Sequence, residues 1–159
     1  MVRGCKGVDA LNTLYWNAAF NEAETAFAIG EVPVGAVVVA RDGTILSAAH
    51  NEVEALNDAT AHAEILVIRR AMAQTGDKYL EGCSLYVTLE PCAMCAGAIA
   101  WARLEKVYFA AYDPKSGGVE HGARVFSQPS CHHQPEVYGG IQAERSTALL
   151  QRFFVEKRF

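Results

Sequence analysis

The sequence lacks any run of about 18 apolar residues, the length a helix needs to cross a bilayer. Its longest apolar stretch, around Ala36 to Ala40, has only strand length. An excess of basic charge is also missing: 14 Lys and Arg stand against 18 Asp and Glu, for a net charge of -4. That balance excludes a basic coat gripping nucleic acid along its whole length, while leaving room for a local basic patch. Cysteines are few and odd in number, five in all, with two of them close together at Cys92 and Cys95. Such a set is not a disulfide framework. Met1 to Asp9 carries Arg3 and Lys6 with no apolar stretch behind them, unlike a secretory signal. The expectation is a cytoplasmic protein without membrane contact, its thiols reduced or bound to metal. No internal repeat, low-complexity tract or linker interrupts the chain. Its 159 residues, 51% hydrophobic and 20% charged, exclude disorder and predict one domain over 1–159, with 1–8 flexible.

What is present is an alternation of helical and strand patterns. Leu11, Leu14, Tyr15, Ala18, Ala19 and Ala26 recur at helical spacing between a cap at Asp9 and a stop at Gly30. Val34 to Ala40 reads as a strand buried on both faces, turned by Asp42-Gly43 into a second arm over Ile45 to His50. Thr60 is placed to cap a helix over Ala61 to Gln74, with Ile65, Leu66 and Ile68 inward and Gly76 ending it. Leu85 to Leu89 is a strong strand, and Pro91 suits the first position of a helix running to Arg103. A strand over Val107 to Ala111, a short helix over Gly122 to Phe126, a strand over Glu136 to Tyr138 and a last helix from Ile141 or Gln142 to Phe154 complete the pattern. Helices alternating with strands after one hairpin predict an α/β fold with one mixed sheet between helical layers.

Two segments carry chemistry: His62-Ala63-Glu64 and Pro91-Cys92-Ala93-Met94-Cys95. Cysteines three apart at a helix start share one face, and the positive end of the helix dipole favours their thiolates. Two thiolates and one imidazole cancel the charge of Zn²⁺ and leave a fourth tetrahedral position open. A closed structural site would draw a fourth ligand from His50, Cys131, His121, His132 or His133, none of which adjoins either motif. Glu64 favours the open site, because a carboxylate two residues from His62 can face a water and carry its proton. Either motif alone is an ordinary feature of helix surfaces or packing. Together, in this order, they form the signature of zinc nucleobase deaminases.

The chain resembles the bacterial tRNA-specific adenosine deaminases of the cytidine/deoxycytidylate deaminase-like superfamily. The resemblance rests on Gly30 to Ala36, His50-Asn51, Thr60 to Glu64, Leu85 to Ala98, Asp113-Pro114-Lys115, Leu149 and Phe153-Phe154, and covers about residues 11 to 158. Ala93 stands where free-cytidine deaminases usually carry Gly. The resemblance implies a three-layer α/β/α cytidine-deaminase-like fold with a central mixed five-stranded sheet, and a homodimer. It also implies one Zn²⁺ per chain, held by His62, Cys92 and Cys95, with Glu64 as catalytic proton shuttle. Hydrolytic conversion of adenosine to inosine at wobble position 34 of a tRNA anticodon stem-loop follows from it. Asn51 would hydrogen-bond the flipped nucleoside, and Val34 and Ala63 would border the base. Asp113, Lys115, Phe154, Lys157 and Arg158 would meet flanking RNA. Val119 to Phe126 departs from the family pattern at the expected substrate mouth. Two rival readings are a deaminase of a free guanine- or cytosine-type base or nucleoside, and a non-catalytic zinc- or RNA-binding subunit. Cys131, His132 and His133 read as a polar surface loop, Cys83 as a small buried hydrophobe, and Trp16 and Trp101 as core or subunit-contact residues.

Overall fold

A computed structural model describes residues 5–157, with side chains from Asn12 onward. The elements, in chain order, are α1 (Cys5–Ala28), β1 (Gly35–Val39), β2 (Ile45–His50), α2 (Ala63–Thr75), β3 (Ser84–Leu89), α3 (Ala93–Trp101), β4 (Lys106–Ala111), a 3₁₀ turn at Val125–Ser127, β5 (Glu136–Gly139) and α4 (Ala143–Lys157). The five strands form one sheet in the order β2-β1-β3-β4-β5. β1 pairs antiparallel with β2 and β3, whereas β4 runs parallel to both β3 and β5.

The sheet lies between two helical layers because its strands alternate their side chains between faces. Ala36, Val38, Leu85, Val87, Val107 and Phe109 point to one side, where Val67, Ile68 and Ala71 of α2 and Ile99 of α3 cover them. Val37, Val39, Tyr86 and Ala110 point to the other, against Tyr15, Trp16, Ala19 and Phe20 of α1. The C-terminal helix joins this second layer through the hydroxyl of Ser146, which donates to the carbonyl of Thr88. Burial of β1 on both faces explains its continuous β-branched run. The observed architecture is the expected three-layer α/β/α arrangement.

Several boundaries differ from expectation, each for a local reason. Asp9 lies inside α1, which begins at Cys5; the side chains of Cys5, Asp9 and Leu11, and all of Arg158, lie outside the described residues. Leu14, expected inward, is exposed, since α1 turns Tyr15 and Trp16 to the sheet instead. Thr60 does not cap α2: its hydroxyl donates to Asp58, and His62 holds the N-cap position, so the helix starts at Ala63. Pro91 is likewise not the first residue of α3, because Cys92 is the N-cap. That helix stops at Trp101, short of Arg103. The helix expected over Gly122 to Phe126 contracts to the three-residue 3₁₀ turn.

The strand pairings bring one set of ends together. His50 at the close of β2 lies opposite Gly35 at the start of β1, and the last residue of β3, Leu89, pairs with Ala111 at the end of β4. Ala36 is paired with Val87, so the start of β1 and the end of β3 share that edge. The segments leading into α2 and α3 both leave from it.

Candidate active site

At that edge His62 and Cys92 occupy equivalent places, each the extended N-cap residue of its helix. Cys95 follows one turn into α3 and is fully buried. The Nδ1 atom of His62 lies 3.6 Å from Sγ of Cys92 and 3.5 Å from Sγ of Cys95. A tetrahedral zinc with sulfur at about 2.3 Å and nitrogen at about 2.0–2.1 Å holds such atoms about 3.5–3.6 Å apart. The donor set therefore fits the ion in geometry as well as in charge. These three side chains are the one cluster among the described residues whose ligand atoms converge for a metal.

Electrostatics point the same way. The Cys92 thiol is pushed down to about 4, first by the hydrogen bond from the Cys95 thiol and then by His62. Cys95 moves upward, because it keeps the proton of that shared bond and is buried. His62 is raised, chiefly by its hydrogen bond with Cys92. Glu64, buried two residues beyond His62, is pushed up to about 7 by burial. A carboxyl poised near neutrality is suited to both taking and giving a proton.

Four of the five candidates for a fourth ligand are held elsewhere, and the fifth, His132, is exposed. His50 binds Glu22 at 2.6 Å, and His121 binds Glu90 at 2.8 Å. The ring of His133 meets the Leu104 carbonyl at 2.7 Å, and the Cys131 thiol donates to the carbonyl of His133.

A cavity of about 460 Å³ opens in front of the triad, and Val34, Asn51, Glu64, Asp113 and Phe154 line it together with His62 and Cys92. Ala63, expected to border the base, is fully buried and is not among the residues that line the cavity; Lys115 borders an adjoining groove shared with Asp113, Phe154 and Lys157. Asn51 has internal partners: Oδ1 accepts from the Ala63 N–H at 2.7 Å and Nδ2 donates to the Val32 carbonyl at 3.2 Å. It thus ties the first turn of α2 to the entry of β1, with one lone pair and one N–H remaining.

Two buried acids in the cavity wall carry no motif that would single them out by sequence. Glu31 accepts from the Ala55 N–H at 2.7 Å. Glu90, whose side chain has no exposure, accepts from the N–H groups of Asp113, Val119, Glu120 and His121 and from the His121 ring. Burial works against its charge, but the donors, led by the Asp113 N–H, outweigh burial and hold its carboxyl below the usual range. The sequence signal for Glu90 is an acid beside Pro91 at a strand end, which by itself names no partner.

The cytidine and deoxycytidylate deaminase zinc-binding region, as a family profile, matches residues 11–111, which include His62, Glu64, Cys92 and Cys95. The chain belongs to this family of zinc-binding deaminases. Within it, the chain is similar to the tRNA-specific adenosine deaminase of Agrobacterium fabrum strain C58, with 50% identity over 149 residues, 94% of this chain and 97% of that protein. A structure solved in work on A-to-I editing by tRNA:A34 deaminases at the wobble position of transfer RNA superimposes with a TM-score of 0.85. It is 50% identical and covers 87% of this chain and 99% of its own. A guanine deaminase structure from Bacillus subtilis is more distant, with a TM-score of 0.61 and 32% identity over 92% of this chain and 94% of that one.

Proposed function

We propose that this protein is a zinc-dependent hydrolase that converts adenosine to inosine at position 34 of a tRNA anticodon loop. The observation that carries the reading is the His62–Cys92–Cys95 triad at tetrahedral spacing, with buried Glu64 on the same cavity. The half-identity with a tRNA-specific adenosine deaminase over nearly its full length supports the choice of substrate. His62, Cys92 and Cys95 would hold one Zn²⁺ per chain, which when bound supplies Lewis acidity and lowers the pKa of a water.

The residues then divide the work. Glu64 takes a proton from the attacking water and delivers it to N1 of adenine, then carries the remaining proton of the new C6 hydroxyl to the amine, which leaves as ammonia. Water is consumed, the C6–N bond breaks and a C6–O bond replaces it. Asn51 orients the nucleoside with its free N–H and lone pair, while Val34 walls the base. Asp113, Lys115, Phe154 and Lys157 receive the neighbouring nucleotides. A base in an anticodon loop is already unpaired, so drawing it into the cavity costs less than from a duplex.

No described helix is long and apolar enough to cross a membrane, and a tRNA substrate favours a cytoplasmic location. The family resemblance favours a homodimer. Zinc-loaded protein is expected to form inosine at position 34 of an anticodon stem-loop, and tRNA from cells deprived of the protein should regain inosine when it is restored. Nucleoside mass spectrometry reads both. Turnover of free guanine or cytosine with the RNA left unchanged would replace this reading with a free-base deaminase.

A further inference from the structure

The Glu90 carboxylate connects two parts of the molecule that are distant in sequence. On one side it stands two residues before Cys92, anchored by its own N–H to the Ala111 carbonyl at 2.8 Å. On the other it gathers the segment from Asp113 to His121. Oε1 accepts from Asp113 N at 3.0 Å and His121 Nδ1 at 2.8 Å. Oε2 accepts from the N–H groups of Val119, Glu120 and His121 at 3.2, 3.0 and 3.1 Å. The segment fits this anchor closely. A Cβ on Gly117 would lie 2.4 Å from Oε2 of Glu90, and one on Gly118 would lie 2.5 Å from the backbone nitrogen of Ala93. The Gly118 N–H also donates to the Pro91 carbonyl at 2.8 Å. Asp113 and Ser116, carried by the same segment, line the cavity.

We infer that Glu90 and His121 are positioning residues, which dock the 113–121 segment on the ligand-bearing turn and so set where the cavity mouth meets RNA beside the reacting base. The inference rests on the deaminase reading for its substrate, and on geometry alone for the docking. The His121 ring adds a side-chain donor to the backbone donors around Glu90. Neither residue touches the reacting atoms, so the effect belongs to RNA binding and appears in KM.

The test uses zinc-loaded protein and an anticodon stem-loop. Glu90→Gln puts an amide N–H against N–H donors in either orientation. It is expected to raise KM about tenfold, in keeping with the strength of hydrogen bonds to a charged acceptor, with one zinc per chain retained. His121→Ala should raise KM about threefold with kcat changed less than twofold. His121→Asn, whose amide nitrogen stands near the place of Nδ1, should restore it. Hydrogen exchange provides a readout independent of turnover: in Glu90→Gln the amides of 113 and 119–121 should exchange at least about tenfold faster while those of α2 do not change. If the wild-type protein leaves the RNA unaltered, the substrate assignment fails and exchange alone decides the docking. Unchanged exchange at those amides overturns the inference. So does a loss confined to kcat, or equal KM in His121→Ala and His121→Asn.

Discussion

At the scale of single residues, burial and neighbours decide what a side chain can do. Glu64 and Glu90 are both sheltered carboxyls, yet burial raises one to about 7 while five donors lower the other. The first is suited to exchanging protons and the second to remaining a fixed anion. Replacing Glu64 with Gln preserves shape and removes the proposed proton carrier. Inosine formation should fall by about 10²–10⁴-fold, the usual share of a general acid–base group, while metal analysis still finds one zinc per chain. A variant that retains full turnover would take the proton-carrying role away from Glu64. The proposed ligands are legible in the amino-acid sequence because His-x-Glu and Pro-Cys-x-x-Cys state their chemistry in residue type and spacing. Glu90 is not, because its donors come from 23 to 31 positions further along the chain.

At the scale of elements, helix starts carry the site. His62 and Cys92 both serve as extended N-caps, which lets their side chains reach back over the sheet edge. The sequence pattern locates both helices but puts the α2 start at Ala61 and makes Pro91 the first residue of α3. Those starts depend on which group satisfies which N–H. Asp58 claims the Thr60 hydroxyl, and Asn51 takes the Ala63 N–H. The close contact of α1 on β1 depends on one missing side chain. A Cβ on Gly35 would lie 1.9 Å from the Ala19 carbonyl oxygen and 2.5 Å from the Ala23 nitrogen, both backbone atoms. Gly35→Ala therefore has to push the helix away, at a cost of about 1–3 kcal/mol typical of overpacking. Thermal denaturation of the zinc-loaded variant should show Tm lowered by roughly 5 °C; an unchanged Tm would mean that α1 shifts freely.

At the scale of the whole molecule, two tryptophans of similar sequence context part company. Trp16 is buried between α1 and the sheet, whereas Trp101 at the end of α3 is 78% exposed, with Met94 also exposed on the same helix. A large apolar surface of this kind is suited to a contact between chains, and supports the proposed homodimer. Light scattering should give the wild-type protein the mass of two chains, and Trp101→Glu should shift it toward the mass of one. A variant that keeps the dimer would move the contact away from α3.

The amino-acid sequence by itself determined the helix and strand alternation and the hairpin, and it singled out the His/Cys/Cys set and the proposed proton carrier. These properties are written in local periodicity and in the chemistry of neighbouring side chains. Tertiary structure alone decided the strand order, the tetrahedral spacing of His62 with Cys92 and Cys95, and the docking of 113–121 on Glu90. The contacts of the triad and of Glu90 join residues 23 to 33 positions apart, and their energies exist only once the sheet has brought the strand ends to one edge.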